Sequence, residues 1–339
     1  MRLDRPAVLI AMDPARTAHV LTENLLDRLA RSAELLDRRP LRDFDDPRFQ
    51  ALAPRAEVLL TGWGCPAIDR GVREAMPRLR LVAHAAGTIK ALAPPDLFAA
   101  GIAVTTSAEA NARPVAEFTL AMVILALKRA FDFERLYGST RSRQQTNPML
   151  ALPIGAARRT VGVVGASRIG RRVLSLLQSF EDIELLVSDP MLDEAEAERL
   201  GARLVSLDAL CAASDVVSLH APSLAATRHM IDASRLAAMR DGATLINTAR
   251  GALVDEAALT RELQDGRLFA VIDVTEPEVP APGSPLWQAP NLFLTPHIAG
   301  AIGLERTRLG ELAIAEIERY AAGEPLLHAV DPAQLETMA

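Results

Sequence analysis

Apolar residues along this chain fall into short, nearly continuous runs separated by stretches with one-sided helical spacing, which predicts parallel strands joined by helices. Between Pro6 and Ser107 the runs Ala7–Ala11, Glu57–Thr61, Leu79–His84 and Ile102–Thr106 read as strands, with amphipathic helices at Ala18–Ala30 and Ile68–Ala75. From Pro114 to Arg135 the pattern predicts one long helix, with Pro114 in its first turn and Phe118, Met122 and Leu125 on a shared apolar face. The polar stretch Gly138–Arg159 has no clear period and reads as a connector or arm. A second series starts at Thr160, with strands at Val161–Val164, Leu185–Ser188, Ala202–Val205, Val216–His220, Thr244–Asn247, Phe269–Asp273 and Leu292–Thr295. A last helix, about Leu304 to Tyr320, is expected to return to the first unit and make it discontinuous. The fold class is α/β, with two parallel-sheet domains and right-handed crossovers.

The chain's 339 residues, half of them apolar, exceed what one core comfortably holds, in keeping with two domains. A net charge of −6 and no Lys/Arg run longer than two disfavour nucleic acid or a membrane surface as partner. Cys65 and Cys211 fall in different predicted units without metal-ligand spacing, so a reducing cytoplasm is expected and neither a disulfide nor a zinc site is. The apolar run near the start is closed by Asp13 and Pro14, and the longest, Leu120–Leu127, is far shorter than the ~20 residues of a membrane helix. A soluble protein with a small-molecule partner is the expectation.

Directly after the strand Val161–Val164 comes Gly165-Ala-Ser167-Arg-Ile-Gly170, opening the predicted helix Arg168–Phe180. A dinucleotide fingerprint asks for glycine at three places, for a tight turn, a close backbone approach to pyrophosphate and tight helix-strand packing. Two are present, and Ser167 takes the middle one, where its hydroxyl could meet a phosphate oxygen at the helix N-terminus. Asp189 closes the next strand, 19 residues after Gly170, where a carboxylate suits the adenosine ribose hydroxyls and repels a 2′-phosphate; this predicts NAD over NADP. Its structural alternative, before Pro190, is a turn residue that ends the strand.

Arg250, Glu278 and His297 stand 28 and 19 positions apart, each at or beyond the end of a predicted strand. Parallel strands side by side would bring an anion clamp, a carboxylate and an imidazole to one carboxyl edge, where such sheets bind ligands. Hydride transfer to a 2-keto acid needs an anchor for the carboxylate, an acid at the carbonyl oxygen and a group that stabilises the charged acid. The guanidinium fork of Arg250 suits the first, His297 the second, and Glu278 the third by fixing the tautomer and favouring imidazolium. A surface ion pair for Arg250 and a backbone-bonded His297 are the structural alternatives, and Glu276 competes with Glu278. Asp273 suits the nicotinamide carboxamide or merely caps its strand.

The stretch Met239 to Glu256, containing Ile246-Asn-Thr-Ala-Arg250-Gly, resembles the signature of the D-isomer-specific 2-hydroxyacid dehydrogenases. Asp273-Val-Thr-Glu-Pro-Glu, Leu294-Thr-Pro-His-Ile-Ala-Gly, Asp215-Val-Val-Ser-Leu-His-Ala-Pro and Val115-Ala-Glu-Phe resemble it too, so the likeness covers nearly the whole chain. It implies a Rossmann-type cofactor domain over 109–303, inserted into a flavodoxin-like substrate domain over 1–108 and 304–339, with a cleft between them. It implies NAD (NADH), a 2-keto or 2-hydroxy acid substrate, and a homodimer built on the helix near Pro114–Arg135. By the resemblance Arg250, Glu278 and His297 are the catalytic set. Arg168, Ile169, Asp189, His220, Pro222, Thr227, Thr248, Asp273 and Gly300 line the cofactor together with Gly165, Ser167 and Gly170. Departures from the pattern are Ser167, the Glu278-Val279 pair where the family has Glu-Pro, and Ala85-Ala-Gly-Thr88 where it has Gly-x-Gly-x-Asp. The Ala86 and Gly87 amides still suit a substrate carboxylate. His84 beside that loop reads as structural, Trp63 as a pocket roof or packing residue, and Trp287 as an interface residue. Glu278 in place of a glutamine disfavours a formate enzyme, and the lack of a regulatory domain after Val330 is unlike the longer phosphoglycerate dehydrogenases. A phosphite-oxidising relative and an NAD(H)-responsive, corepressor-like binding protein are the alternatives.

Overall fold

The computed structural model describes residues 5–335 and contains two compact units, residues 5–111 with 301–335 and residues 112–300. Each is built on its own all-parallel sheet, of five and seven strands.

In the first unit the strands are β1 (Ala7–Ala11), β2 (Glu34–Leu35), β3 (Val58–Thr61), β4 (Leu81–His84) and β5 (Ala103–Thr106), in the order β2-β1-β3-β4-β5. β1, β3 and β4 are buried throughout, which is why they read as unbroken apolar runs. β2 is too short to leave a periodic signal. The first helix starts at Glu23 rather than Ala18, because Thr22 accepts the Leu25 amide as N-cap and His19 takes a left-handed φ of 68°. The final helix, Thr307–Ala322, buries Leu309, Ala313, Ile314 and Ile317, the last three against Leu25, Leu29, Leu60 and Leu81. Its approach is close enough that a Cβ on Gly310 would overlap the Val20 carbonyl. Beyond it, buried Glu316 accepts the Leu327 and His328 amides, and Val330 then donates to Val104 alongside β5.

The second unit holds β6 (Arg159–Val164), β7 (Ile183–Ser188), β8 (Arg203–Leu204), β9 (Val216–Leu219), β10 (Thr244–Asn247), β11 (Phe269–Ile272) and β12 (Leu292–Leu294). Their order, β12-β11-β10-β9-β6-β7-β8, reverses direction at β6, so a ligand crevice is expected at the carboxyl ends of β6 and β9. Two apolar layers cover its faces, one including Leu210, Leu245, Leu259 and Leu263, the other Val123, Val161, Leu174 and Val187.

The predicted long helix is different in detail. It starts at Ala108, whose amide donates to Thr106 Oγ1, so Pro114 lies inside the helix and not in its first turn. It stops at Leu127 because Arg129 adopts φ 55°, with its guanidinium 3.3 Å from the Phe269 ring centroid and Nε donating to Asp132. Helices Ala130–Thr140 and Arg143–Leu150 follow, so half of the expected irregular arm is helical; the latter buries only Thr146 and therefore carries no apolar period. By length and composition Ala108–Leu127 could cross a membrane, and half of its apolar window is buried, with Val123 and Ala126 packed against Val161 and Val187.

Gly310→Ala should cost about 1–3 kcal/mol, the usual range for forcing atoms into a filled contact. Denaturant unfolding of the variant measures it; unchanged stability would show that the last helix can shift away from Val20.

Candidate active site

The turn after β6 is shaped by close backbone approaches. Gly165 has φ +92°, and a Cβ there would lie 2.7 Å from the Ala221 nitrogen, in the segment leaving β9. A Cβ on Gly170 would overlap the Gly165 carbonyl. Ser167 has ordinary extended angles, φ −65° and ψ 179°, and its Oγ accepts the Gly170 amide at 3.3 Å as N-cap of the helix Arg168–Leu177. The middle position therefore has no conformational need for glycine, and the serine hydroxyl keeps its proton for another acceptor. Asp189 accepts the Ala166 amide on Oδ2 at 2.7 Å and the Met191 amide on Oδ1 at 2.8 Å, tying the end of β7 to the turn. Both the turn role and a remaining lone pair on each oxygen follow from this geometry.

Across the crevice, His220 leaves β9 with its Nε2 2.9 Å from Ser218 Oγ. Burial lowers its pKa to about 3, and among the described residues its Nδ1 has no partner. Thr227 Oγ1 donates to the Pro222 carbonyl at 2.6 Å and accepts the Leu224 amide at 2.8 Å, which holds the Pro222 loop closed. Thr248 Oγ1 lies 3.1 Å from Thr119 Oγ1. A glycine cradle that any Cβ would fill, an N-cap serine and an orphaned buried imidazole nitrogen fit a dinucleotide.

Arg250, Glu278 and His297 come to one edge through strand register. Asn247 is opposite Ile272, and Ile272 is opposite Leu294, so the segments carrying the three residues leave the sheet together. Asn247 donates to the Arg250 carbonyl at 2.8 Å and accepts the Ala249 amide at 3.1 Å, which turns the chain after β10. Gly251 lets the next loop pass, since a Cβ there would overlap the Thr275 carbonyl. Arg250 is half-buried, and burial lowers its pKa while the charge of Glu278 partly offsets that effect.

His297 Nδ1 and Glu278 Oε1 are 2.5 Å apart, with about half of the imidazole and rather more of the carboxylate exposed. Glu276 is held elsewhere, accepting from Arg228 at 2.7 Å. Thr275 Oγ1 lies within hydrogen-bond reach of the Pro277 and Glu278 carbonyls, at 2.8 and 3.0 Å, and so braces the backbone between the two acids. His297 itself has a left-handed φ of 56°, and its amide donates to the Asp273 carbonyl at 2.9 Å. The buried Asp273 carboxylate accepts Thr295 Oγ1 at 2.6 Å, the Ile298 amide at 2.8 Å and the Ala299 amide at 2.9 Å. This bracing role escaped sequence reading, which gave Asp273 the nicotinamide carboxamide or a strand cap. Gly300 closes the same segment.

In the first unit, Ala86 and Gly87 follow β4 in a loop pinned by Thr106 Oγ1, which donates to the Gly87 carbonyl at 2.8 Å. Among the described residues no acceptor takes the Ala86 or Gly87 amide. His84 is buried with Nδ1 2.9 Å from Thr61 Oγ1, and burial lowers its pKa to about 4 against a hydrogen bond to the Thr88 backbone. That matches a structural histidine. Trp287 is half-exposed and donates to the Ala281 carbonyl within its own loop at 2.9 Å. Cys65 and Cys211 are free thiols, pushed up by burial to about 12 and about 11, and no metal-ligating cluster occurs among the described residues.

A family model described as D-isomer specific 2-hydroxyacid dehydrogenase, NAD binding domain, matches residues 120–299, the segment that carries the Gly165 turn and Asp189. A glyoxylate reductase of Aeropyrum pernix is 34% identical over 83% of this chain and 85% of its own length. A D-3-phosphoglycerate dehydrogenase of Archaeoglobus fulgidus is 28% identical over 86% of this chain, which spans about half (53%) of that relative. The crystal structure of a protein from Thermus thermophilus superposes with a TM-score of 0.75 and 29% identity over 96% of this chain and all of that one.

Both buried imidazoles are neutral in the fold, so the unfolded chain takes up protons first once pH falls below the ordinary value of 6.5. Stability should decline from there downward by up to about 1.4 kcal/mol per pH unit per ring, ending near the folded values. Thermal unfolding followed from about pH 7 to about pH 5 checks this; His84→Asn and His220→Asn should each flatten the decline, and an unaltered slope contradicts the assignment.

Proposed function

The chain belongs to the D-isomer specific 2-hydroxyacid dehydrogenase family, and we propose that it moves a hydride between NAD(H) and C2 of a D-2-hydroxy or 2-keto acid. The observation that carries this reading is the 2.5 Å contact of His297 with Glu278, in the electrostatic reach of Arg250. NADH supplies the hydride for reduction.

Every other step falls to side chains of this protein. Arg250 binds the substrate carboxylate and carbonyl oxygen, fixing which face of C2 is presented. His297 donates the proton that the carbonyl oxygen needs as it becomes a hydroxyl, and takes it back in the oxidative direction. With Nδ1–H donating to Glu278, the proton is exchanged at Nε2, and the carboxylate stabilises the imidazolium. The Ala86 and Gly87 amides, which no acceptor takes among the described residues, suit a carboxylate. Gly165, Ser167, Arg168, Ile169 and Gly170 are assigned the pyrophosphate and Asp189 the ribose hydroxyls. His220, Pro222, Thr227, Thr248, Asp273 and Gly300 form the remaining wall. A cytoplasmic homodimer completes the reading, supported by the exposed Tyr137, Leu150 and Leu152 and by two unpaired thiols.

Mixing the protein with NADH and a panel of glyoxylate, hydroxypyruvate, pyruvate, phenylpyruvate and branched 2-keto acids should show NADH consumption; none, with NADH binding intact, would leave a binding protein instead. His297→Ala should lower kcat about 10²–10⁴-fold and spare NADH affinity. Glu278→Gln should slow turnover and Glu276→Gln should not; the reverse pattern would reassign the carboxylate. Arg250→Lys should act chiefly on keto-acid KM. NADPH should serve worse than NADH, and equal efficiency would remove Asp189 from the ribose.

A further inference from the structure

Next to the Ala86–Gly87 loop the first unit holds a guanidinium, that of Arg306, with no carboxylate paired to it among the described residues. Thr61 on β3 is opposite His84 on β4, so Trp63 and Ala86, each two residues further on, emerge side by side at the carboxyl edge. Trp63 is half-buried against the core, and the guanidinium carbon of Arg306 lies 5.2 Å from its ring centroid. Two backbone carbonyls position Arg306: Nε donates to Ala301 at 3.3 Å and one terminal nitrogen donates to Arg16 at 3.1 Å. Asn111 joins this arrangement to the loop, since its Oδ1 accepts the Ala301 amide at 2.9 Å and its Nδ2 lies 3.8 Å from where a Gly87 Cβ would stand.

Among the described residues Arg306 has no ion-pair partner, and the adjacent Glu305 instead accepts the Ile302 amide at 3.1 Å. A guanidinium stacked on an indole and anchored at two nitrogens loses little freedom when an anion arrives, and its second terminal nitrogen remains available as a donor.

We propose that Arg306, stacked on Trp63, is a specificity site for a second anionic group, so that the preferred keto acids carry a carboxylate or phosphate beyond the one at C1. The inference rests on the 2-hydroxyacid reading for its reaction, but the anion site stands on its own geometry. Glyoxylate and pyruvate lack that second group and leave Arg306 unpaired.

Steady-state rates with pyruvate, phenylpyruvate, oxaloacetate, 2-oxoglutarate and phosphohydroxypyruvate test it in the wild type and in Arg306→Met. The dianions should lead pyruvate by roughly 10- to 100-fold in kcat/KM, the scale of one charged hydrogen bond. Arg306→Met should remove most of that lead through KM and change pyruvate far less, and Arg306→Lys should restore part of it. The two dicarboxylates against the phosphate ester show which anion is read. An equal loss on every substrate, or a preference for phenylpyruvate, overturns the proposal in favour of a packing role. The chain has two tryptophans, so Trp287→Phe leaves Trp63 as sole reporter. Its fluorescence should change saturably with succinate and much less with acetate, and lose the response in Arg306→Met. Saturation without turnover of any keto acid would sink the dehydrogenase reading and keep the anion site; turnover without either charge preference or a succinate response would do the opposite.

Discussion

The Asp273 carboxylate is the contact on which the candidate site depends. Buried at the end of β11, it gathers the Thr295 hydroxyl and the Ile298 and Ala299 amides, while its backbone carbonyl takes the His297 amide. A buried carboxylate met by three donors favours that arrangement, because any donor lost leaves a buried polar oxygen without its partner. The left-handed His297 is thereby held at one position, and the strain of a non-glycine residue at φ 56° is offset by these bonds. Glu278 approaches from the loop after the same strand, so one element positions both His297 and Glu278.

The cofactor side follows a similar rule with backbone in place of charge. Gly165 and Gly170 allow two segments to approach closer than any side chain permits, and the Asp189 carboxylate clamps the turn through the Ala166 amide. Ser167 departs from the usual glycine without disturbing this, because its angles are ordinary and its oxygen caps the helix. The anion-binding character of that helix end is thus kept by a different residue type. In the other unit, the Ala86–Gly87 amides have no acceptor among the described residues, and Arg306 donates only to the Ala301 and Arg16 carbonyls there.

The strands and the parallel α/β class were legible because buried strands leave runs such as Ala7–Ala11 and Thr244–Asn247 that no helix of that length would need. The two-residue β2 left no such trace, and the helix Arg143–Leu150 was invisible because it buries almost nothing. The break at Arg129 depends on Phe269, about 140 residues away, which supplies the ring beneath its guanidinium. Local pattern carries no information on such a partner.

By itself the sequence determined the chemical inventory: an arginine, two nearby acids and a histidine placed after successive strands, and a turn fit for phosphate. It favoured Glu278 over Glu276 as the partner of His297, although both sit in one loop with the same charge. Tertiary structure set Arg228 against Glu276 and left Glu278 to His297, and it made Asp273 the brace of the segment from Thr295 to Ala299. The physical reason is that spacing along a chain fixes which groups are available, while hydrogen-bond partners are fixed by register between β10, β11 and β12, residues that meet only once the sheet has formed.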